Sequence, residues 1–359
     1  MQYSEWFLES IDKHKNEAAA MIEKRDEKEE LEKEYGEVEF DIDNGPVVVY
    51  PKGLGETEEE EIAFSSLPDI RSQGMTRERF IFKRGEKYYH VSFIQEENSE
   101  VKRGYVQKSV FIKCGKLLPD LPRKIESVLE GASEYRAEVL KEKMKMAKIE
   151  DRDGGGDGGK DGDRDADRGG GRDGNGGGDR DADKNNVFKK LLEKHRRIIF
   201  ENIIRCRSFL VLGESPTEVS DAVCILSKFC GFSYGGEIVP YRSSFIEEFD
   251  NQEKMIGGTN EHIFKTENFD NVFNLKTGKY HTKYSDSSRI TEKHFEDLQA
   301  YFLKSPYTFS VPKFIECLEK KESSLKTRRV FREFFESKNF PSWLDSLGYK
   351  IKREKKALE

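Results

Sequence analysis

A low-complexity tract at residues 151–184 divides the chain of 359 residues, and it restricts the fold more than any other feature of the sequence. The tract is dominated by Gly, Asp and Arg, and the hexapeptide GDRDAD occurs in it twice, at 162–167 and at 178–183. Glycine loses more backbone entropy on folding than any other residue, and the tract lacks the side chains that build an apolar core. We therefore predict a flexible linker between two folded parts.

The aspartates of this tract suggest one alternative. The Asp-x-Asp-x-Asp runs that begin at Asp163 and Asp179 resemble the start of a calcium-binding EF-hand loop. Such a loop needs a bidentate Glu at its twelfth position, which is Gly174 in one run and Lys190 in the other. The linker interpretation is therefore favoured, and no metal site is predicted.

Charge and cysteine content narrow the classes of protein. The formal net charge is −7, which argues against a large surface for duplex nucleic acid. The five cysteines show no CxxC spacing, as is typical of reduced thiols in the cytosol. No apolar run approaches the roughly 20 residues that span a bilayer. We expect a cytoplasmic protein without a nucleic acid partner, whose membrane contact is peripheral.

The part before the linker has the pattern of a small lobe with a mostly antiparallel sheet. Residues 10–35 are rich in Ala, Glu, Lys and Leu and predict a solvated charged helix, with a partner-binding coiled coil as the alternative. Alternation of apolar and polar residues around Gly-containing turns predicts hairpins. The predicted strands are 37–42, 47–50, 78–84, 87–94 and 104–113, and the predicted helices are 57–64 and 123–148.

The part after the linker alternates strands and helices, which predicts a doubly wound, mostly parallel α/β sheet with a helical C-terminal end. The predicted strands are 208–212, 237–241, 254–256 and 271–275, and the predicted helices are 187–205, 216–229, 261–267, 291–304, 311–321 and 324–337. The core of the two parts is expected to include Phe40, Val48, Phe82, Phe209, Leu210, Val223, Phe302 and Trp343.

Two loop segments follow predicted strands, at the edge where α/β sheets usually bind ligands. In the first, Ser215, Pro216 and Glu218 have the spacing of a capping box at a helix start, which explains them without a ligand. In the second, 257–260, backbone N–H groups could hold an anion, although a turn with Asn260 as N-cap is the commoner outcome. For each segment, a purely structural role and a binding role therefore both stay open.

The chain carries no short motif in the context that marks a common catalytic or nucleotide site. GxxxxGK[ST] and HExxH are absent from the sequence. The pattern GxSxG occurs once, at 231–235 (GFSYG), but it follows the predicted helix 216–229 and not the strand that a nucleophile elbow requires. Gly278-Lys279 is followed by Tyr280 and lacks the upstream glycine of a phosphate-binding loop. We therefore predict no catalytic residue and no cofactor.

A series of short blocks at about residues 37–130 resembles the upstream, longin-like lobe of the DENN family. The blocks are VEFDIDNGPVVVYPKG (38–53), FSSLPD (64–69), RFIFKR (79–84) and KRGYVQKSVFI (102–112). The resemblance is closest to the branch of DENN domain-containing protein 6.

A second series, over about 190–347, resembles the central DENN lobe and its helical end. The family carries a longer connection between the lobes, in the region where the Gly/Asp tract stands. The blocks are SFLVLGESPTEVSDAV (208–223), IVPYRSSFIEEF (238–249), MIGGTNEHIFK (255–265), YFLKSPYTFSVPKF (301–314) and REFFESKNFPSWL (332–344). The expected domains are a charged helix (1–35), a longin-like lobe (36–148), the linker (149–186), the DENN lobe (187–347) and a basic tail (348–359).

The resemblance implies a guanine-nucleotide exchange factor for a Rab-type small GTPase in membrane trafficking, recruited peripherally to endosomal or Golgi-derived membranes. Such a protein grips the switch regions of the GTPase and carries out no covalent chemistry. The position of the loops, together with the resemblance, predicts contacts with the GTPase at nine residues. They are Tyr105, Gln107, Glu214, Thr217, Glu218, Tyr241, Arg242, Thr259 and Asn260.

Two further classes stay open. The first is a scaffold that binds a GTPase without exchange. The second is a GTPase-activating protein, because longin–DENN relatives are thought to act through an arginine finger. The candidates for that arginine are Arg71, Arg77 and Arg79.

Overall fold

The computed structural model describes twelve stretches of the chain, and all structural statements below concern them. The described residues are 33–68, 76–101, 104–130, 134–153, 180–229, 234–243, 254–260, 266–284, 293–296, 298, 325–340 and 342–343. Of the sequence predictions, residues 1–32, Arg71, residues 154–179 of the linker, residues 261–265, Phe302, helix 311–321 and the tail 348–359 lie outside them.

The protein is a mixed α/β structure built on one sheet of ten strands, in the order β10-β9-β6-β8-β7-β3-β4-β5-β1-β2. The first five strands pair only antiparallel with one another, whereas β6, β7, β8 and β9 pair in parallel and β10 closes a hairpin with β9. The strands are β1 (Glu34–Asp41), β2 (Gly45–Tyr50), β3 (Thr76–Arg84), β4 (Lys87–Glu97), β5 (Tyr105–Cys114), β6 (Phe209–Leu212), β7 (Glu237–Arg242), β8 (Met255–Thr259), β9 (Asn271–Asn274) and β10 (Lys279–Thr282).

Helices cover both faces of the antiparallel half and one face of the parallel half. Helices α2 and α3 pack on Val110 and Ile112, and α1 packs on the opposite face. Helices α4, α5 and α6 share a core with Phe209 and Val211 of β6. The helices are α1 (Glu56–Ser66), α2 (Leu121–Leu129), α3 (Ala137–Asp153), α4 (Arg180–Ile204), α5 (Pro216–Ser227) and α6 (Leu325–Glu336), with a 3-10 turn at Thr266–Asn268.

The two halves share both the sheet and the main core. Phe82 of β3 pairs with Tyr241 of β7, and among the residues that the structure describes this single bridge joins the halves within the sheet. The ring of Phe80 meets that of Tyr241 edge-on, with centroids 5.0 Å apart. The buried cluster around these rings extends from Val38 to Trp343. Folded parts on either side of the linker are thus one packed body in the described residues.

The helix predicted at 123–148 is two helices, α2 and α3. The second begins at Ala137, whose N–H donates to the carboxylate of Glu37 on β1 at 3.0 Å. Burial raises the pKa of Glu37, although the Ala137 N–H opposes that shift. The capping group thus lies 100 residues away in the sequence, beyond the reach of local helix signals.

Bounds near the linker and the first strand also differ from the predictions. Helix α3 continues to Asp153 and α4 begins at Arg180, so both extend into the predicted linker 149–186. Strand β1 begins at Glu34, inside the predicted N-terminal helix. Position 36 of this strand has room only for glycine, because a Cβ there would lie 1.9 Å from the ring of Phe111.

Three smaller differences concern the C-terminal part. Strand β10 was not predicted, since its Lys-Tyr-His-Thr sequence is short and polar. The helix near 291–304 is described only at 293–296 and 298. The second face of the parallel half carries a smaller cluster that includes Leu210, Met255 and Phe269, and Phe269 directly follows the 3-10 turn.

None of the helices in the described stretches combines the length and the apolarity that crossing a bilayer requires.

Candidate functional site

The start of α5 lies at the junction of the two halves and contains three residues that the sequence analysis singled out. Ser215 is the N-cap, and its hydroxyl accepts a hydrogen bond from the Glu218 N–H at 3.3 Å. Pro216 occupies the first helical position, where its missing N–H costs nothing. The predicted cap at this helix start is confirmed.

A carboxylate from the other half adds a second cap. Oε2 of Glu78, on β3, accepts from the Ser215 hydroxyl at 2.8 Å, from the Thr217 N–H at 3.1 Å and from the Thr217 hydroxyl at 2.5 Å. A carboxylate at a helix N-terminus is favoured by the helix dipole as well as by these donors. Glu78 therefore fastens α5 to the antiparallel half.

Hydroxyl groups of α5 also take the place of a neighbouring strand along β3. The Thr217 hydroxyl accepts from the Arg79 N–H at 2.8 Å, and the Ser220 hydroxyl accepts from the Ile81 N–H at 3.1 Å. Residues three apart on a helix lie on the same side of it, and residues two apart on a strand direct their N–H groups to the same edge of the strand. The spacing of the two hydroxyls thus matches the spacing of the two amides.

Ion pairs surround this contact. Arg79 lies 3.4 Å from Glu126 of α2 and 3.8 Å from Asp221 of α5, and Arg123 lies 3.2 Å from Asp221. The Arg79 side chain is 19% exposed and its guanidinium is engaged within the junction. Of the three arginines proposed for a GTPase-activating role, Arg79 therefore acts as a structural residue. Arg77 is exposed on β3, and Arg71 lies outside the described residues.

The structure brings several predicted contact residues together at the carboxyl edge of the parallel strands. Arg242 of β7 is paired with Thr259 of β8, and the Gly213 N–H donates to the Thr259 carbonyl at 3.2 Å. Glu214 follows Gly213 and forms an ion pair with Lys276 at 2.5 Å. Asn260 directly follows β8. The loop before α5 and the ends of β7 and β8 thus form one edge.

Tyr105 and Gln107 lie apart from this edge. Both belong to β5, which β4 separates from β3. Gln107 is buried, and its Nε2 donates to Oε1 of Gln95 on β4 at 3.0 Å. In this conformation the Gln107 side chain is part of the sheet interior.

The prediction that Gly257, Gly258 and Thr259 form a turn after a strand is wrong, because all three belong to β8. A Cβ on Gly258 would lie 2.4 Å from the Pro240 carbonyl oxygen and 2.5 Å from a methyl of Val219. The glycine therefore lets α5 pack closely on the sheet. The expected N-cap role of Asn260 concerns residues 261–265, outside the described stretches.

A surface cleft opens beside the bridge between Phe82 and Tyr241. It consists of two adjoining cavities of about 340 and 210 Å³. Phe64 of α1 lies on its rim with 58% of its surface exposed. The cleft is lined by Glu60, Glu61, Phe64, Ser65, Phe82, Lys83, Arg84, Gly85, Glu86, Glu237, Val239, Tyr241 and Arg242.

Most basic groups of the cleft have acidic partners. Arg84 pairs with Glu58 at 3.4 Å and also with Glu61, and Lys83 pairs with Glu237 at 3.0 Å. Among the described residues, Glu60 and Glu86 form no ion pair, and both are exposed. The cleft therefore combines an exposed aromatic ring with an excess of acidic groups.

Tyr88 lies next to the cleft and is affected by one of its acidic groups. The Tyr88 hydroxyl, which donates to the Ile238 carbonyl, is largely buried beside Glu237. Burial, followed by the charge of Glu237, raises the pKa of Tyr88 to about 12. Tyr88 is therefore a neutral donor at physiological pH.

Sequence reasoning named Tyr241 and Arg242, which border the cleft although the Tyr241 side chain is only 1% exposed, and it did not name Glu78, Phe64 or Arg84. Glu78 lies in an alternating strand, and its partner Ser215 is 137 positions away, so no local signal marks it. Phe64 stands in the FSSLPD block, and its exposure on a helix became evident only from the structure. In the described ranges, no group of three or more His, Cys, Asp or Glu side chains is placed to hold a metal ion.

Comparison with known proteins finds no family model that matches the chain and no curated protein that matches it.

Proposed function

We propose that the protein regulates a Rab-type small GTPase as an exchange factor of the DENN type, without covalent chemistry. The observation that carries the proposal is the junction of the two halves. The segments that resemble the two DENN lobes meet there, through Glu78 and Thr217 and through Phe82 and Tyr241. The antiparallel half corresponds to the longin-like lobe in this proposal, and the parallel half corresponds to the central DENN lobe.

The junction combines an exposed aromatic ring with a cleft, and such a surface can bind a mobile loop of a partner protein. Phe64 supplies an exposed aromatic anchor, and the cleft beside it has room for about one or two large side chains. Arg242 lies where the cleft meets the carboxyl edge of the parallel strands, whereas Thr259, with which it is paired, is buried. A switch loop of the GTPase that enters the cleft would leave its nucleotide-bound conformation.

Exchange then follows from differential binding. The protein must bind the nucleotide-free GTPase more tightly than the GDP-bound form, and every tenfold difference requires about 1.4 kcal/mol of extra contact. Coupling is reciprocal, so GDP that returns to the GTPase weakens the complex by the same factor. Recruitment to endosomal or Golgi-derived membranes belongs to the same proposal and would follow from the bound GTPase.

The test compares the affinity of the full chain for nucleotide-free and GDP-bound forms of a panel of Rab GTPases. An exchange factor binds the nucleotide-free form of at least one of them about 100-fold more tightly or better. Equal affinity for the two forms would contradict exchange and would identify the non-catalytic scaffold instead.

A further inference from the structure

The residues that precede the parallel strands lie at one edge of the sheet, opposite its carboxyl edge. Arg207 lies two residues before β6, and Lys254 directly precedes β8. Gly236 directly precedes β7, and Asp270 directly precedes β9. Because β6 to β9 pair in parallel, these positions are neighbours along the same edge, which we call the amino edge.

The guanidinium of Arg207 is oriented by an aromatic ring but has no acceptor for its hydrogen bonds. Its Cζ lies over the ring of Tyr284, 3.4 Å from the centroid. Its Nε is buried and donates no hydrogen bond. A desolvated donor without an acceptor costs free energy. A ring against the face of a guanidinium leaves the N–H groups, which point outward in its plane, free to bind an anion.

The nearest acidic group of the amino edge is occupied by other donors. Asp270 accepts from the Ser208 N–H at 3.0 Å, from the Ser208 hydroxyl at 3.1 Å and from the Tyr284 hydroxyl at 3.0 Å. Arg205, by contrast, forms two ion pairs with carboxylates, at 2.8 and 3.1 Å. Within the described stretches, Arg207 is therefore left without a counter-ion beside an arginine that has two.

Two lysines without ion pairs lie at the same edge. Lys254 and Lys338 are exposed, and neither forms an ion pair with any residue that the structure describes. Their backbones approach two adjacent glycines from different sides. A Cβ on Gly235 would lie 2.3 Å from the Lys338 carbonyl oxygen, and a Cβ on Gly236 would lie 2.5 Å from that of Lys254. The two lysines are thus held near the start of β7.

A buried tyrosine connects these lysines to Arg207. The Tyr234 hydroxyl donates to the Arg207 carbonyl at 2.9 Å, and Tyr234 directly precedes the two glycines. Burial raises the pKa of Cys206, next to Arg207, and the positive charges of Lys254 and Lys338 oppose that rise. Both ammonium groups therefore act on the place where the Arg207 backbone lies.

From this arrangement we propose that Arg207, Lys254 and Lys338 form a binding site for a phosphate group, carried by a soluble phosphate ester or by a lipid headgroup. A carboxylate has one charge, which a single guanidinium would balance. A phosphate monoester carries about two negative charges at pH 7 and accepts at three oxygens, which suits one oriented fork and two ammonium groups. The site shares no residue with the cleft, so it goes beyond the proposed GTPase function and stands or falls separately from it.

The test is isothermal titration of the full chain with inositol trisphosphate, and with uncharged inositol as the control ligand. We expect saturable binding of the trisphosphate and none of inositol. Sedimentation with phosphatidylcholine vesicles, with and without a phosphoinositide, distinguishes the sources. Binding of the soluble probe alone identifies a soluble ester, whereas additional binding to the phosphoinositide vesicles identifies the lipid headgroup. The absence of binding to either probe by the folded chain would overturn the proposal.

Two sets of variants test the residues. Arg207→Lys keeps the charge but removes the planar fork, and it should weaken binding of the trisphosphate about tenfold. Lys254→Gln with Lys338→Gln should weaken it about fivefold to tenfold, and it alters only exposed side chains.

The matched control is Lys52→Gln with Lys279→Gln, which removes two exposed charges away from the amino edge, since Lys279 pairs with Asn274 at the far end of β9. Binding by this control should change less than about twofold. Circular dichroism shows whether each variant is folded. Equal losses in the two lysine pairs, or full binding by folded Arg207→Lys, would overturn the proposal, because attraction would then depend on net charge alone.

Discussion

The carboxylate of Glu78 accepts two hydrogen bonds from Thr217, one from its backbone N–H at 3.1 Å and one from its hydroxyl at 2.5 Å. Glu78 lies on a strand of the antiparallel half and Thr217 on helix α5 of the other half, 139 positions apart in the sequence. The same hydroxyl accepts from the Arg79 N–H, so one side chain completes both a helix N-terminus and a strand edge. Much of the polar contact between the halves depends on this pair.

Replacement of Glu78 by Gln should lower the free energy of unfolding by about 2 kcal/mol, because the donors of Ser215 and Thr217 lose a charged acceptor. Urea denaturation followed by fluorescence measures the change. Glu97→Gln, at an exposed end of β4, is the matched control and should change stability by less than about 0.5 kcal/mol. Equal losses in the two variants would refute the capping role of Glu78.

Thr217 was predicted as a contact residue for a GTPase, and the structure also gives it a structural role. Thr217→Val keeps the shape but removes the hydroxyl, so the Arg79 N–H loses its acceptor and stability should fall by about 1–3 kcal/mol. A double-mutant cycle with Glu78→Gln should show a coupling of about 1 kcal/mol. Thr217→Ser retains the hydroxyl and should lose much less. Additive effects of the two substitutions would contradict the shared contact.

His90 should make the protein sensitive to mild acid. Its Nε2 accepts from the Leu118 N–H at 3.0 Å, so its Nδ1 carries the proton and donates to the Ile112 carbonyl. Burial lowers the pKa of His90 to about 4 from an ordinary 6.5. The unfolded chain therefore binds more protons between these values, and stability falls as the pH drops through this range.

The loss from His90 should approach about 3 kcal/mol at pH 4, at up to about 1.4 kcal/mol per pH unit. Unfolding free energies of the native chain and of His90→Gln, measured from pH 7 to pH 4, isolate it. The variant is less stable at pH 7 but should show a shallower pH dependence. Parallel curves for the two proteins would mean that His90 does not titrate abnormally.

Gly258→Ala should destabilise the protein by about 1–3 kcal/mol, because the new methyl meets the Pro240 carbonyl and Val219. Gly115→Ala is the control, since a Cβ there meets nothing within 4 Å. Thermal unfolding of the two variants should separate them by several degrees. Similar melting temperatures would show that α5 does not pack as closely on β8 as described.

Local signals predicted the elements of the fold better than their assembly. The hairpins of the antiparallel half follow from alternation and turn residues, and the start of α5 follows from Ser215 and Pro216. The pairing of Phe82 with Tyr241 could not be predicted, because it joins residues 159 positions apart through a single bridge. The sharing of one sheet by both halves was missed for the same reason.

In the candidate site, too, the residues marked by a local pattern could be predicted, and those that depend on long-range contacts could not. Tyr241 and Arg242 were selected because they end a strand, and they do line the cleft. Glu78 and Phe64 carry no local pattern, since one is an acid in an alternating strand and the other an aromatic residue in an acidic helix. Their roles arise only when the two halves come together.

The exchange function itself is tested most directly by the release of fluorescent GDP from a panel of purified Rab GTPases, with and without the full chain. We predict strong acceleration for one or two of them, which falls about tenfold with Arg242→Ala and is unchanged with Arg136→Ala, an exposed position away from the cleft. Acceleration for none of the GTPases by the folded protein would contradict the proposal of an exchange factor.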